Sequence, residues 1–80
     1  MINFYTRQRC PLCDVAKKVL DDIGEEYRSI DIGGDPGLEG EFGTRVPVIE
    51  VDEEVVFEGG MDPSDLPEIV EGAERLSGSL

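Results

Sequence analysis

Two cysteines spaced as Cys10-Pro11-Leu12-Cys13 stand where an apolar period of two gives way to one near 3.6. A redox-capable pair at a strand-to-helix junction leaves few folds open to a short chain. Before the junction, Ile2-Asn3-Phe4-Tyr5 reads as a strand, followed by the polar loop Thr6-Arg7-Gln8-Arg9. After it, Leu12, Ala16, Val19, Leu20 and Ile23 fall on one helical face, with Pro11 suited to the first helical position and Gly24 to a left-handed cap. Tyr27 to Ile32 reads as a second strand. The whole has the size of a parallel strand-helix-strand unit, whose crossover is almost always right-handed.

The remainder adds three elements. Five glycines and a proline between Gly33 and Arg45 predict mostly loop, with at most a short, weak helix over Leu38 to Phe42. Val46 to Val51, an acidic turn at Asp52-Glu53 and Glu54 to Glu58 predict a β-hairpin, which Gly59-Gly60 ends. A last helix is expected, capped by Asp62, Ser64 or Asp65, with Pro63 or Pro67 at its first position. Leu66, Ile69, Val70, Ala73 and Leu76 give it one apolar face, and the tail Ser77-Gly78-Ser79-Leu80 is expected to fray. The fold class is therefore α/β, in the order β-α-β-(short helix or loop)-β-β-α, as a single domain over residues 1–80.

Eighty residues bury only about 60% of their unfolded surface, so any chemistry lies near the surface. The formal charge of −12, from 19 acids, 7 bases and no His, opposes phosphate backbones and anionic lipid. Neither nucleic acid nor membrane is an expected partner, and a monomer is expected. Met1 to Tyr5 lacks the basic region and long apolar stretch of a secretory signal, which points to a cytoplasmic protein. Lysine is scarce, Lys17 and Lys18 standing beside five arginines. That balance resembles the proteins of salt-in halophiles.

A sulfur at a helix N-terminus faces unpaired N–H groups and the positive end of the helix dipole, which favour thiolate over thiol. Cys10 is thus expected to attack a substrate disulfide, and Cys13, one turn on, to resolve the mixed disulfide. Residues 7 to 18 hold Arg7, Arg9, Lys17 and Lys18 against the single acid Asp14, whereas the rest of the chain holds three bases and 18 acids. Arg7 and Arg9 are accordingly candidate contacts for an anionic group of the substrate. A purely structural disulfide is disfavoured, because so small a loop removes little chain entropy and the cytosol reduces exposed disulfides. A closed zinc site needs four ligands, and the chain has two thiols and no His. A soft-metal chaperone of βαββαβ order would end in a strand, where a helix is expected here. The alternative of a different class is a module that holds metal or a [2Fe–2S] cluster with the paired cysteines of two copies; otherwise no cofactor is expected.

With Cys10-Pro11-Leu12-Cys13, Arg45-Val46-Pro47-Val48 and Gly59-Gly60-Met61-Asp62 in order, the sequence resembles the glutaredoxin-like branch of the thioredoxin superfamily over nearly its whole length. The resemblance implies a small thioredoxin-like fold and dithiol–disulfide oxidoreductase activity. It also implies that Pro47 is cis and lies against the catalytic cysteine, that the Val46 backbone pairs with the substrate's thiol-bearing residue, and that Gly60 and Asp62 hold the γ-glutamyl end of glutathione. Leu12 stands where an aromatic is usual, Arg45 where threonine is typical, and Pro63-Ser64 interrupts the acidic pair common after the glycines. The partners it implies are a low-molecular-weight thiol or a disulfide-bearing protein such as ribonucleotide reductase, with a thiol or a flavoprotein reductase as electron source.

Overall fold

The computed structural model describes residues 1–78. Its elements are β1 (Ile2–Thr6), α1 (Pro11–Ile23), β2 (Arg28–Asp31), α2 (Pro36–Phe42), β3 (Val48–Val51), β4 (Glu54–Phe57) and α3 (Leu66–Gly78), the last preceded by a single 3-10 turn, Pro63–Asp65. The four strands form one sheet in the order β2-β1-β3-β4. β1 runs parallel to β2, while β3 is antiparallel to both β1 and β4, with an irregularity between Ile49 and Glu50.

Alternation along the strands sorts the side chains onto two faces. Ile2, Phe4, Ile49, Val51 and Phe57 pack with Cys13, Ala16 and Leu20 of α1 and Leu66 and Val70 of α3 in the main core. The opposite face carries a smaller cluster of Ile32, Phe42 and Val48, flanked by Tyr5, Leu38 and Val46. The Tyr5 and Phe42 rings lie 4.5 Å apart there, and Tyr5 Oη donates to Glu50 Oε1 at 2.9 Å. Burial and the nearby carboxylate both raise the Tyr5 pKa. Truncating a fully buried side chain such as Leu20 to Ala removes about 2–5 kcal/mol.

Of the apolar stripe of α1, Ala16 and Leu20 are buried and Val19 and Ile23 partly so, whereas Leu12, in the first turn beyond the edge of the core, is exposed and Cys13 is buried instead. Gly24 closes the helix at φ 83°, its N–H donating to the carbonyls of Leu20 and Asp21. Asp52 and Glu53 form the two-residue hairpin turn, both at positive φ. The segment read as mostly loop contains α2. Its glycines disfavour helix, but Asp35 Oδ1 accepts from the N–H groups of Gly37 and Leu38, Pro36 takes the first position, and burial of Phe42 and Leu38 supplies the rest. At the chain's end Asp62 caps the 3-10 turn, and Leu66 and Val70 are buried on α3. α3 runs through Gly78, so Ser77 and Gly78 are helical rather than frayed. Ser79, Leu80 and the side chain of Leu76 lie outside the described residues. Among the described residues, no helix is long and apolar enough to cross a membrane.

Candidate functional site

Three chain segments meet at one end of the sheet, and the register dictates which. Tyr5 pairs with Val48, so Pro47 falls beside the end of β1, where the chain leaves toward the cysteines. Ile49 pairs with Phe57, which carries Glu58 and Gly59 past the end of β4 to the same place. Cys10 and Val46 both pack against the main core.

Cys10 is the N-cap of α1, in an extended conformation, with Pro11 at the first helical position. Its Sγ accepts the Cys13 N–H at 3.1 Å. A sulfur takes the place of the usual oxygen cap, so the helix start itself presents a donor to it. Cys10 and Cys13 are disulfide-bonded, with Cα atoms 5.1 Å apart. They differ in access: Cys13 is 1% exposed within the core, whereas Cys10 is half-buried.

The Val46–Pro47 peptide bond is cis, and Pro47 is buried. The Val46 N–H donates to Phe42 O at 3.0 Å, so that donor is used inside the chain. Gly60 is exposed, with open space around its α-carbon. Asp62 Oδ1 accepts both the backbone N–H and the hydroxyl of Ser64 at 2.9 Å, and these bonds hold its carboxyl below the usual range. No described group bonds Asp62 Oδ2.

The two arginines differ. Arg7 reaches the α2 side of the site, where its Nη2 lies 3.4 Å from Glu39 Oε1. Arg9 is exposed, adopts φ 58°, and makes no ion pair among the described residues. Leu12 and Met61, at the first turn of α1 and just before the 3-10 turn, are both exposed. A surface depression of 560 Å³ is lined by Met1, Glu25, Glu26, Tyr27 and Arg28. It lies at the opposite end of β1 and carries none of this chemistry. Among the described residues, no three His, Cys, Asp or Glu side chains gather in a group suited to a metal ion.

The model of the glutaredoxin-like domain (DUF836) matches residues 1–74. The chain belongs to this family. Solved structures agree on the architecture of this glutaredoxin-like domain. Protein XcR50 from X. campestris superimposes with a TM-score of 0.78 at 27% identity, covering 90% of this chain and 97% of that one. The thioredoxin-like protein BC3987 gives 0.68 at 24% identity, covering 86% and 99%. Thioredoxin 1 from Thermosipho africanus gives 0.61 at 14% identity over 96% and 97%, a likeness of fold alone. No curated protein matches the chain. The thioredoxin-like fold is thus shared ground. Two features of the glutaredoxin-like site escaped sequence reading: the Val46 N–H is spent on Phe42, and Arg45 is tied to Glu58.

Proposed function

We propose that this glutaredoxin-like protein is a dithiol–disulfide oxidoreductase in which Cys10 attacks and Cys13 resolves. The observation that carries the reading is the asymmetry of the pair: a half-buried cysteine whose sulfur caps a helix N-terminus, bonded to a fully buried one a turn later. In the reduced protein the Cys10 thiolate attacks one sulfur of a substrate disulfide. The substrate S–S bond breaks, a Cys10–substrate disulfide forms, and the first substrate thiolate leaves and is protonated by solvent. Cys13, deprotonated, then attacks the Cys10 sulfur, releasing the second thiolate and closing the Cys10–Cys13 disulfide. Two electrons pass from protein to substrate, and an external thiol or a flavoprotein reductase returns them.

The Cys13 N–H, left in place through the cycle, would stabilise charge on Cys10. Pro47 would border the attacking sulfur, and Val46 would offer its carbonyl to the substrate backbone, since its N–H is engaged. Gly60 and Asp62 Oδ2 would receive an amino-bearing end, and Arg9, with Arg7, an anionic one. A low-molecular-weight thiol or a disulfide-bearing protein such as ribonucleotide reductase fits this site, in a cytoplasm whose salt matches the acidic surface.

The test is turnover of a peptide disulfide by the reduced protein, with metal content measured after purification without oxygen. Reduction that is lost in Cys10→Ser supports the reading. A coloured, iron-loaded dimer without exchange activity would replace it by the cluster-binding alternative.

A further inference from the structure

We infer that Arg45, through its ion pair with Glu58, is a positioning residue that holds the Val46–Pro47 loop in place for substrate. The inference rests on the exchange reaction proposed above, and it concerns groups outside the cysteine pair. Arg45 Nε and Nη2 donate to Glu58 Oε2 at 3.1 and 2.7 Å. The same guanidinium lies over the Phe42 ring, 5.4 Å from its centroid. A planar cation thus bridges the buried end of α2 and the residue just past β4, an arrangement a lysine cannot copy because it has one nitrogen and no flat face.

The backbone of Arg45 repeats the connection. Its N–H donates to Phe42 O at 2.8 Å, and its carbonyl accepts the Gly59 N–H at 2.8 Å. Arg45 therefore joins the same two elements twice, once through its side chain and once through its main chain, and Val46 and Pro47 follow directly. Both partners of the ion pair are more than a third exposed, 38% for Arg45 and 42% for Glu58. A pair so exposed contributes little to global stability. Its place beside Val46 gives it a local role, since small displacements of a substrate-binding group slow reactions strongly.

The experiment compares Arg45→Gln, Glu58→Gln, the double variant and Arg45→Lys in steady-state reduction of a peptide disulfide. A loosened loop binds substrate less well, so KM rises by about fivefold in each single variant, the upper size of an exposed pair. kcat stays within about twofold, and the rate of Cys10 alkylation by iodoacetamide, which needs no loop, is unchanged. The double variant is no worse than either single one, because both remove the same contact. Arg45→Lys recovers only part of the loss. An unchanged KM, additive single effects, or alkylation that slows in step with KM would overturn the inference. Amide exchange of Gly59 and Val46 supplies a readout without turnover: both should exchange faster in Arg45→Gln, while Ile49 in β3 does not. Were the unaltered protein inactive toward disulfides, the proposed function would fall, and unchanged protection of Gly59 and Val46 would separately overturn the positioning role.

Discussion

The α-carbon of Gly59 faces the Val46 carbonyl so closely that a β-carbon built on it would stand 2.6 Å from that oxygen and 3.0 Å from the Arg45 oxygen. Both obstacles are backbone and have no rotamer to change. The glycine after β4 is thus required by close approach to the loop that carries Pro47.

Gly59→Ala should therefore force the loop away and cost about 1–3 kcal/mol, the usual penalty of overpacking. Gly60→Ala, with nothing near its α-carbon, should stay within about 0.5 kcal/mol of the parent. Urea unfolding of the two variants checks the contrast. Equal stabilities would show that the approach at Gly59 is relieved at no cost.

Arg9 and Arg7 should differ in their effect on Cys10. Arg9 adjoins the cysteine and has no ion-pair partner among the described residues, whereas Glu39 offsets part of the Arg7 charge. Arg9→Gln should slow iodoacetamide alkylation of reduced Cys10 at pH 7 by about threefold, an effect of the size exposed charges exert. Arg7→Gln should do less, and Arg9→Lys should restore the rate. Superimposable curves for all variants, measured at molar KCl, would assign thiolate stabilisation to the helix N-terminus alone.

Much of this was legible in the sequence, and what was not has physical causes. The period change at Cys10, the apolar face from Ala16 to Ile23 and the Gly24 cap depend on local pattern and survive folding, whereas Leu12, read as part of that face, is exposed. α2 is left between short helix and loop by the sequence because Gly37 and Gly40 weigh against helix, although Asp35-Pro36 is a readable start signal. What decided it was burial of Phe42 against Ile32 and Val48, contacts that no local window contains. The Arg45–Glu58 pair likewise joins residues 13 apart whose meeting depends on strand register. Asp62, one of three caps the sequence offers for the last helix, caps the 3-10 turn ahead of it, and only the structure shows both of its bonds falling on one oxygen.

The acidic surface predicts a salt requirement. Salt screens the attraction within the exposed ion pairs, such as Lys17–Asp21 and Arg75–Glu71, but it also screens repulsion among 19 acids on a chain of charge −12. Repulsion dominates at this imbalance. Tm should rise with KCl on the order of 10 °C between dilute buffer and molar salt, the shift that about 2 kcal/mol makes in a domain this small. A flat or falling Tm would remove the case for a halophilic adaptation.

Asp62 should leave a signature at low pH. Its bonds to the Ser64 N–H and hydroxyl depress its pKa, so its charge stabilises the folded state fully above the unfolded value of about 3.9. That contribution is lost as pH falls through the lower folded value. The Tm of the parent should exceed that of Asp62→Asn at neutral pH, and the gap should close below about pH 4. A gap independent of pH would mean that the cap acts through shape rather than charge.

The central claim is that Cys10 carries the substrate, and the sulfur found in a trapped intermediate decides it. Reduced Cys13→Ser is mixed at pH 7 with a peptide disulfide, quenched with acid, digested and mapped by mass. The account predicts one peptide per chain, joined to Cys10, and no adduct in Cys10→Ser, where the remaining thiol is 1% exposed in the folded protein. An adduct on Cys13 of Cys10→Ser forming as fast as that on Cys10, or none on Cys10 at all, would contradict it.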